Sequence, residues 1–230
     1  MVLNDRQAEI MDLIKENGRV STKELSKTLF VSEMTVRRDL TEMEKCGYLK
    51  RYKGGAVYMG GEEFLPVQAR VNVHYKEKRL VSAKIKKYLK DGMTVFIDSS
   101  STCEFIIPLL KDYENVLVVT NSVFNMLAAA EYHIKCLGTG GEYDEHDMCF
   151  VGAHTDEFLR NVNVDIAFFS ARGISSDGVI TDSDVLQTSA RKAIMKNSLK
   201  NVFLFDGSKK NKKYPYTLAR AEDVDEVITI

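Results

Sequence analysis

Three helix starts fall within the first thirty-two residues, and nothing else constrains the fold of this chain as strongly. Asn4-Asp5-Arg6-Gln7 and Ser21-Thr22-Lys23-Glu24 each set a capping side chain three residues ahead of a Gln or Glu able to bond back, the reciprocal arrangement of a capping box. Ser32 is a third capping candidate. Behind these caps, Ile10, Leu13 and Ile14, then Leu25 and Leu29, then Val36, Leu40 and Met43 recur at helical spacing. Asn17-Gly18 and Cys46-Gly47 supply the stops. Short helices with one apolar stripe each can bury those stripes only against one another. A compact trihelical bundle is therefore expected at the start of the chain.

The third helix leaves Glu33, Met34, Thr35, Arg37 and Arg38 outside, next to its cap Ser32. Those are the first turns, where a recognition helix meets base edges in the major groove. Arg can bond a guanine bidentately or clamp a phosphate; the bland alternative is a solvated charged face. The β-rich pieces 48–52 and 56–58 flank Lys53-Gly54-Gly55 and predict a small hairpin, a wing whose Arg51 and Lys53 suit phosphate contact. Charge distribution agrees: residues 19–58 hold nine Lys and Arg against five Asp and Glu, whereas the whole chain has a net charge of -1. A basic end on a mildly acidic body points to an anionic partner for that end.

Residues 59–75 contain Gly60, Gly61 and Pro66 without sustained period and are expected to be a linker between a domain at 1–58 and another at 76–230. In the second domain apolar runs at 94–97, 116–119, 134–137, 165–169, 201–205 and 227–230 alternate with amphipathic stretches. That alternation predicts an α/β, Rossmann-like fold: a mostly parallel sheet with helices on both faces. Ligands in such folds sit at the carboxyl ends of the strands. Polar or glycine-rich turns stand there at Asp98-Ser99-Ser100-Ser101-Thr102, Thr120-Asn121-Ser122, Gly138-Thr139-Gly140-Gly141 and Asp206-Gly207-Ser208-Lys209. Singly each is an ordinary cap or turn. Together, their hydroxyl and backbone N–H donors suit a phosphate.

Residues 31–40 (VSEMTVRRDL), 44–49 (EKCGYL) and Gly54-Gly55-Ala56 resemble the DNA-binding signature of DeoR-type bacterial transcription regulators. The resemblance implies a winged helix-turn-helix reading operator DNA as a dimer or higher homo-oligomer. It extends over the body, whose landmarks at 98–102, 120–122, 140–141, 151–152, 165–169 and 208–209 are similar to those of the DeoR-type effector domain, itself like sugar-phosphate isomerases. By that similarity Ser99, Ser100, Ser101 and Thr102 behind Asp98 hold a phosphate. Asn121 and Ser122 line the sugar, Lys209 adds positive charge, and Thr120, Gly140 and Gly141 belong to the same effector site. Two departures stand out. Ser100 occupies the place of a family glycine, which would matter if that position needed positive φ. Gln187-Thr188-Ser189 stands where many members carry a Glu before a basic pair, here Arg191-Lys192.

The expectation is therefore a cytoplasmic transcription regulator, a repressor of a carbohydrate-use operon, without catalytic residues or cofactor. An isomerase-type enzyme is the first alternative, with Asp98, Asp165 or Asp184 as the base. A metal-responsive regulator is the second, resting on Asp144-Glu145-His146-Asp147 and Cys149, which lack a tetrahedral spacing signature. No GxSxG elbow surrounds Ser100 or Ser101, which argues against a serine hydrolase. The four cysteines form no CxxC pair and read as reduced packing residues. The N-terminus has no signal-peptide core, and no apolar run nears the roughly 18 residues of a membrane span.

Overall fold

A computed structural model of the chain describes residues 3–58 and 65–230. It divides into two compact units, Met1–Val73 and His74–Ile230.

In the first unit helices α1 (Asp5–Asn17), α2 (Thr22–Thr28) and α3 (Glu33–Lys45) form behind the expected caps. Both capping boxes are closed, and Ser32 Oγ accepts the Thr35 N–H. Ile10, Ile14, Leu25, Val36, Leu40 and Met43 are buried in one core. Arg6 grips the buried Asp39 carboxylate with two bonds of 2.6 and 3.1 Å, which fixes α1 against α3. Strands β1 (Arg19–Ser21), β2 (Lys50–Tyr52) and β3 (Gly55–Val57) make an antiparallel sheet in the order β1-β3-β2. The wing is thus a hairpin backed by a third strand. That third strand is invisible in the sequence because Ser21, its last residue, carries the stronger signal of a helix cap. Gly55 lies so close to β1 that a Cβ there would stand 2.3 Å from the Val20 carbonyl oxygen.

The expected linker 59–75 needs correction. Residues 59–64 lie outside the described residues. Beyond them, Leu65 and Ala69 join the core of the first unit, and helix α4 (Val67–Arg70) begins after Pro66. Asn72 Nδ2 donates to the Tyr48 hydroxyl over 2.6 Å. Pro66 packs where a Cβ on Gly47 would come within 2.2 Å of its ring, so Gly47 is required both for its φ of +74° and for this contact. A four-residue helix is too short to show a period, so its burial left no trace in the pattern.

In the second unit β4 (Thr94–Ile97), β5 (Leu117–Thr120), β6 (Lys135–Gly138), β9 (Ile166–Phe169), β12 (Asn201–Phe205) and β14 (Glu226–Thr229) form one parallel sheet in the order β14-β12-β9-β4-β5-β6. Between them lie a hairpin, β7 (Glu142–Asp144) with β8 (Cys149–Val151), and a small sheet of β10 (Gly173–Ile174), β11 (Val179–Asp182) and β13 (Tyr216–Arg220). Alternate residues of each strand serve opposite faces. Val95, Ile97, Val118, Phe168 and Leu204 pack beneath α5 (Tyr75–Ala83) and α6 (Ile107–Leu110). Phe96, Val119, Phe169, Phe203 and Phe205 pack beneath α8 (Ala153–Arg160) and α9 (Val185–Met195). Helix α7 (Val123–Glu131) lies against β5 and β6. Burial on both faces explains why the central strands read as unbroken apolar runs. The chain leaves β4 in one direction through β5 and β6, then crosses to β9 and runs on through β12 and β14. The crevice for a ligand is expected at that reversal, over the carboxyl ends of β4 and β9.

Candidate functional site

The outer face of α3 carries the expected DNA-reading residues. Glu33, Met34, Arg37 and Arg38 are exposed, as are Ser32 and, on the wing, Arg51 and Lys53; Thr35 is half-buried. Met34 is 76% exposed, an unusual place for a thioether unless it meets an apolar surface such as a thymine methyl. Two of the cations are already aimed. Arg37 pairs with Glu33 one turn earlier at 3.5 Å, and Arg51 reaches Thr41 Oγ1 over 2.5 Å. Arg51 N–H also donates to Glu44 Oε1, tying wing to helix so that both present one basic surface.

In the second unit residues 98–102 turn sharply after β4. Asp98 is buried and does not face a ligand: Oδ1 accepts the Ser100 N–H, while Oδ2 accepts the Ser170 N–H and Arg191 Nε. These bonds shape the loop. The backbone N–H groups of Ser99, Ser101 and Thr102 find no acceptor among the described residues. Ser101 Oγ accepts from Lys78 Nζ at 3.0 Å, which brings a buried ammonium to the loop. Unclaimed N–H groups beside a buried cation are the components of an oxyanion cradle. Ser100 keeps a negative φ, and its hydroxyl accepts the Cys103 N–H as a cap for the following turn. Serine is unstrained here; the missing glycine costs the loop nothing.

Thr120 and Ser122 support this loop from beneath. Thr120 Oγ1 donates to the Ile97 carbonyl at 2.6 Å, and Ser122 Oγ caps α7 through Asn125. Their hydroxyls are thus already engaged. Asn121 differs: Nδ2 is bound to the Phe150 carbonyl, but its buried Oδ1 has no partner. Gly140 and Gly141, with φ of +64° and +124°, let their turn close on α8, where Thr155 Oγ1 donates to the Gly140 carbonyl. Lys209 sits half-buried in the turn Gly207–Lys209 after β12.

Arg191, on α9, was named in the sequence only as half of a basic pair, without a role, yet it organises the centre. Its guanidinium contacts Asp98, Asp182 and Gln187 at 3.0, 2.8 and 3.1 Å. Burial alone would lower its pKa, but the Asp182 and Asp98 carboxylates outweigh that and raise it, so the cation persists. Gln187, the first of the three residues that stand where many relatives carry a Glu, accepts from Ser99 Oγ and Arg191 on Oε1 and donates to Asp147 Oδ2 at 2.6 Å. An ionised glutamate at 187 could not make that last bond. Asp147, from the β7–β8 turn, brings a carboxylate to this network. Burial pushes the Cys149 thiol up to about 12 and raises Cys103 well above its ordinary value, so both are inert packing groups at neutral pH. Among the described residues no group of three His, Cys, Asp or Glu side chains could hold a metal ion. No helix among them is long and apolar enough to cross a membrane.

Comparison with known proteins meets this geometry at both ends. Residues 6–60 match the DeoR-like helix-turn-helix domain, and residues 73–229 match the DeoR C terminal sensor domain. The glycerol-3-phosphate regulon repressor of Escherichia coli K12 is 30% identical, covering 100% of this chain and 91% of its own. The L-fucose operon activator of the same organism is 29% identical over 97% and 93%. The lactose phosphotransferase system repressor of Staphylococcus epidermidis is 29% identical over 98% and 91%. Among solved structures, ribose 5-phosphate isomerase A of Methanocaldococcus jannaschii aligns over 60% of this chain and 55% of its own, with 21% identity and a TM-score of 0.44. With the sensor-domain match running through more than half of its length and the helix-turn-helix match before it, the chain belongs to the DeoR family of transcription regulators.

Proposed function

We propose that this regulator is a homo-oligomeric repressor of a carbohydrate-use operon whose operator affinity is set by a phosphorylated sugar at the carboxyl ends of β4, β5, β9 and β12. The observation that carries the reading is the 98–102 loop: three backbone N–H groups without an acceptor among the described residues, beside the buried Lys78 ammonium. Ser99, Ser101 and Thr102 bind the phosphate there, and Lys209 adds charge from the β12 turn. Asn121 meets a hydroxyl of the sugar through its unpaired Oδ1. Asp98, Ser100, Thr120, Ser122, Gly140 and Gly141 position these groups. In the first unit Ser32, Glu33, Met34, Thr35, Arg37 and Arg38 read the operator while Arg51 and Lys53 hold phosphates beside it. Relatives named for a sugar operon and a phosphorylated polyol regulon support the ligand class.

Coupling follows from linkage: a ligand favouring one arrangement of the oligomer lowers operator affinity by the factor by which that arrangement binds DNA less well. An enzymatic reading is disfavoured because Asp98, the carboxylate nearest the cradle, is held by two backbone N–H groups and the Arg191 guanidinium, which stabilise its ionised form and make it a weak base toward carbon.

A thermal-shift panel of phosphosugars tests the site. A ligand at about 100 times its Kd stabilises by roughly 2.7 kcal/mol. Ser101→Ala with Thr102→Ala keeps the backbone N–H groups but removes both hydroxyls, one of them the partner of Lys78, and should reduce that shift. A shift that both changes leave at full size, or phosphosugar turnover by the wild-type protein, contradicts the reading.

A further inference from the structure

Arg172 follows β9 at the point where the strand order reverses, and its side chain makes no hydrogen bond among the described residues. It is 8% exposed, and its nearest counter-charge is Asp147 Oδ2 at 3.9 Å, beyond bonding distance. Among the described residues, none of its guanidinium N–H groups finds an acceptor. Its guanidinium carries five donors that no acceptor among the described residues takes and that keep only slight access to solvent, so an oxygen of a ligand entering the crevice can receive them. Its surroundings repeat the pattern. Two residues back on the same strand end, Ser170 Oγ is buried without a partner, and Asn121 Oδ1 at the end of β5 is likewise unpaired.

The unmet donors adjoin the phosphate cradle. Asp147 Oδ2 is held by Gln187 Nε2, and Gln187 Oε1 accepts from Ser99 Oγ at 3.0 Å. Arg172 is thus separated from the 98–102 loop by two side chains. Its charge is already balanced by Asp147, so a second anionic group placed beside it would meet that carboxylate and be repelled. A neutral hydroxyl or carbonyl oxygen meets no such repulsion and can accept from Arg172 while its own proton faces Asp147.

We infer that Arg172, with Asp147 as its counter-charge, is a specificity-determining residue that reads the uncharged polyhydroxyl end of the effector. The inference rests on the phosphosugar reading of the site and adds to it the group that separates a phosphorylated polyol from bare phosphate. A site that recognises hydroxyls through buried donors discriminates strongly against ligands lacking them.

The test is isothermal titration of the full chain, as wild type, Arg172→Met and Arg172→Lys, with inorganic phosphate and with glycerol 3-phosphate, ribose 5-phosphate, fructose 1-phosphate and fructose 6-phosphate. Arg172→Met should weaken the tightest-binding phosphosugar at least tenfold and change phosphate affinity less than twofold. The melting temperature of each variant without ligand is measured alongside, because Arg172→Met leaves the buried Asp147 carboxylate without its counter-charge whereas Arg172→Lys keeps it. Arg172→Lys keeps the charge beside Asp147 but not the forked donors, and should lose selectivity in the same way. Equal losses for phosphate and phosphosugar, or no loss in either variant, overturn the inference. If Arg172→Met does not fold, Arg172→Lys alone decides. Wild-type protein that binds phosphate but none of the phosphorylated polyols also overturns it; binding of neither overturns the site reading beneath it.

Discussion

The two units of this protein are specified in different ways. The first announces its parts locally: its caps act over three positions and its reading face lies on one helix and the hairpin that follows, with Arg6–Asp39 across 33 positions as a long-range tie. The second builds its site from distance. Lys78 meets Ser101 across 23 positions, Gln187 meets Asp147 across 40, and Arg191 meets Asp98 across 93. A locally written surface can lose one contact and keep its shape. A site closed by long-range ion pairs depends on each of them.

The largest expected effect lies at the centre of the second unit. Arg191→Met leaves Asp98 and Asp182 as buried carboxylates without their cation, and breaking such a pair typically costs about 3–5 kcal/mol. Urea denaturation followed by tyrosine fluorescence should show early loss of the second unit; an unchanged midpoint would mean that the network does not hold the strand ends together. Next in size, Arg37→Ala with Arg38→Ala should weaken specific operator binding at least ~100-fold and flatten its salt dependence, since two phosphate- or base-bonding cations are lost. The same double variant should keep the full phosphosugar-induced melting shift. Loss of both responses together would erase the separation between the units. The smallest effect belongs to a cap: Ser21→Ala should cost about 1 kcal/mol, with α2 still formed. Hydrogen exchange along α2 measures it, and a collapse of the whole first unit would show that its local signals are less independent than their geometry suggests.

The same contrast explains what could be read in advance. Asn4, Ser21 and Ser32 announced three helices because a cap and its partner lie within one turn. The central strands announced themselves because burial on both faces leaves no alternation to confuse them. The strand-end loops were legible as polar breaks in an apolar pattern. The roles inside them were not: Asp98 and Thr120 turned out to be braces, and only the fold shows where their oxygens point. Arg172 carries no local mark at all: it is a basic residue just past a strand end, a place where most are simply solvated. Arg191 was marked only as half of the basic pair Arg191-Lys192, and nothing in that pair says that it is the buried one. The β7–β8 hairpin was missed for a related reason, since each strand has only three residues, β7 is largely exposed, and the apolar run of β8 is too short to read as a strand.

The central claim is that ligand in the cradle and DNA on the first unit are linked. Fluorescence anisotropy of a labelled duplex, selected by the protein itself from random sequence, measures operator Kd with and without the phosphosugar that most stabilises the protein. The account predicts at least a fivefold loss of affinity, a coupling of about 1 kcal/mol, that needs higher phosphosugar concentrations in the Ser101→Ala, Thr102→Ala variant. An operator Kd that stays constant while the cradle fills would contradict it.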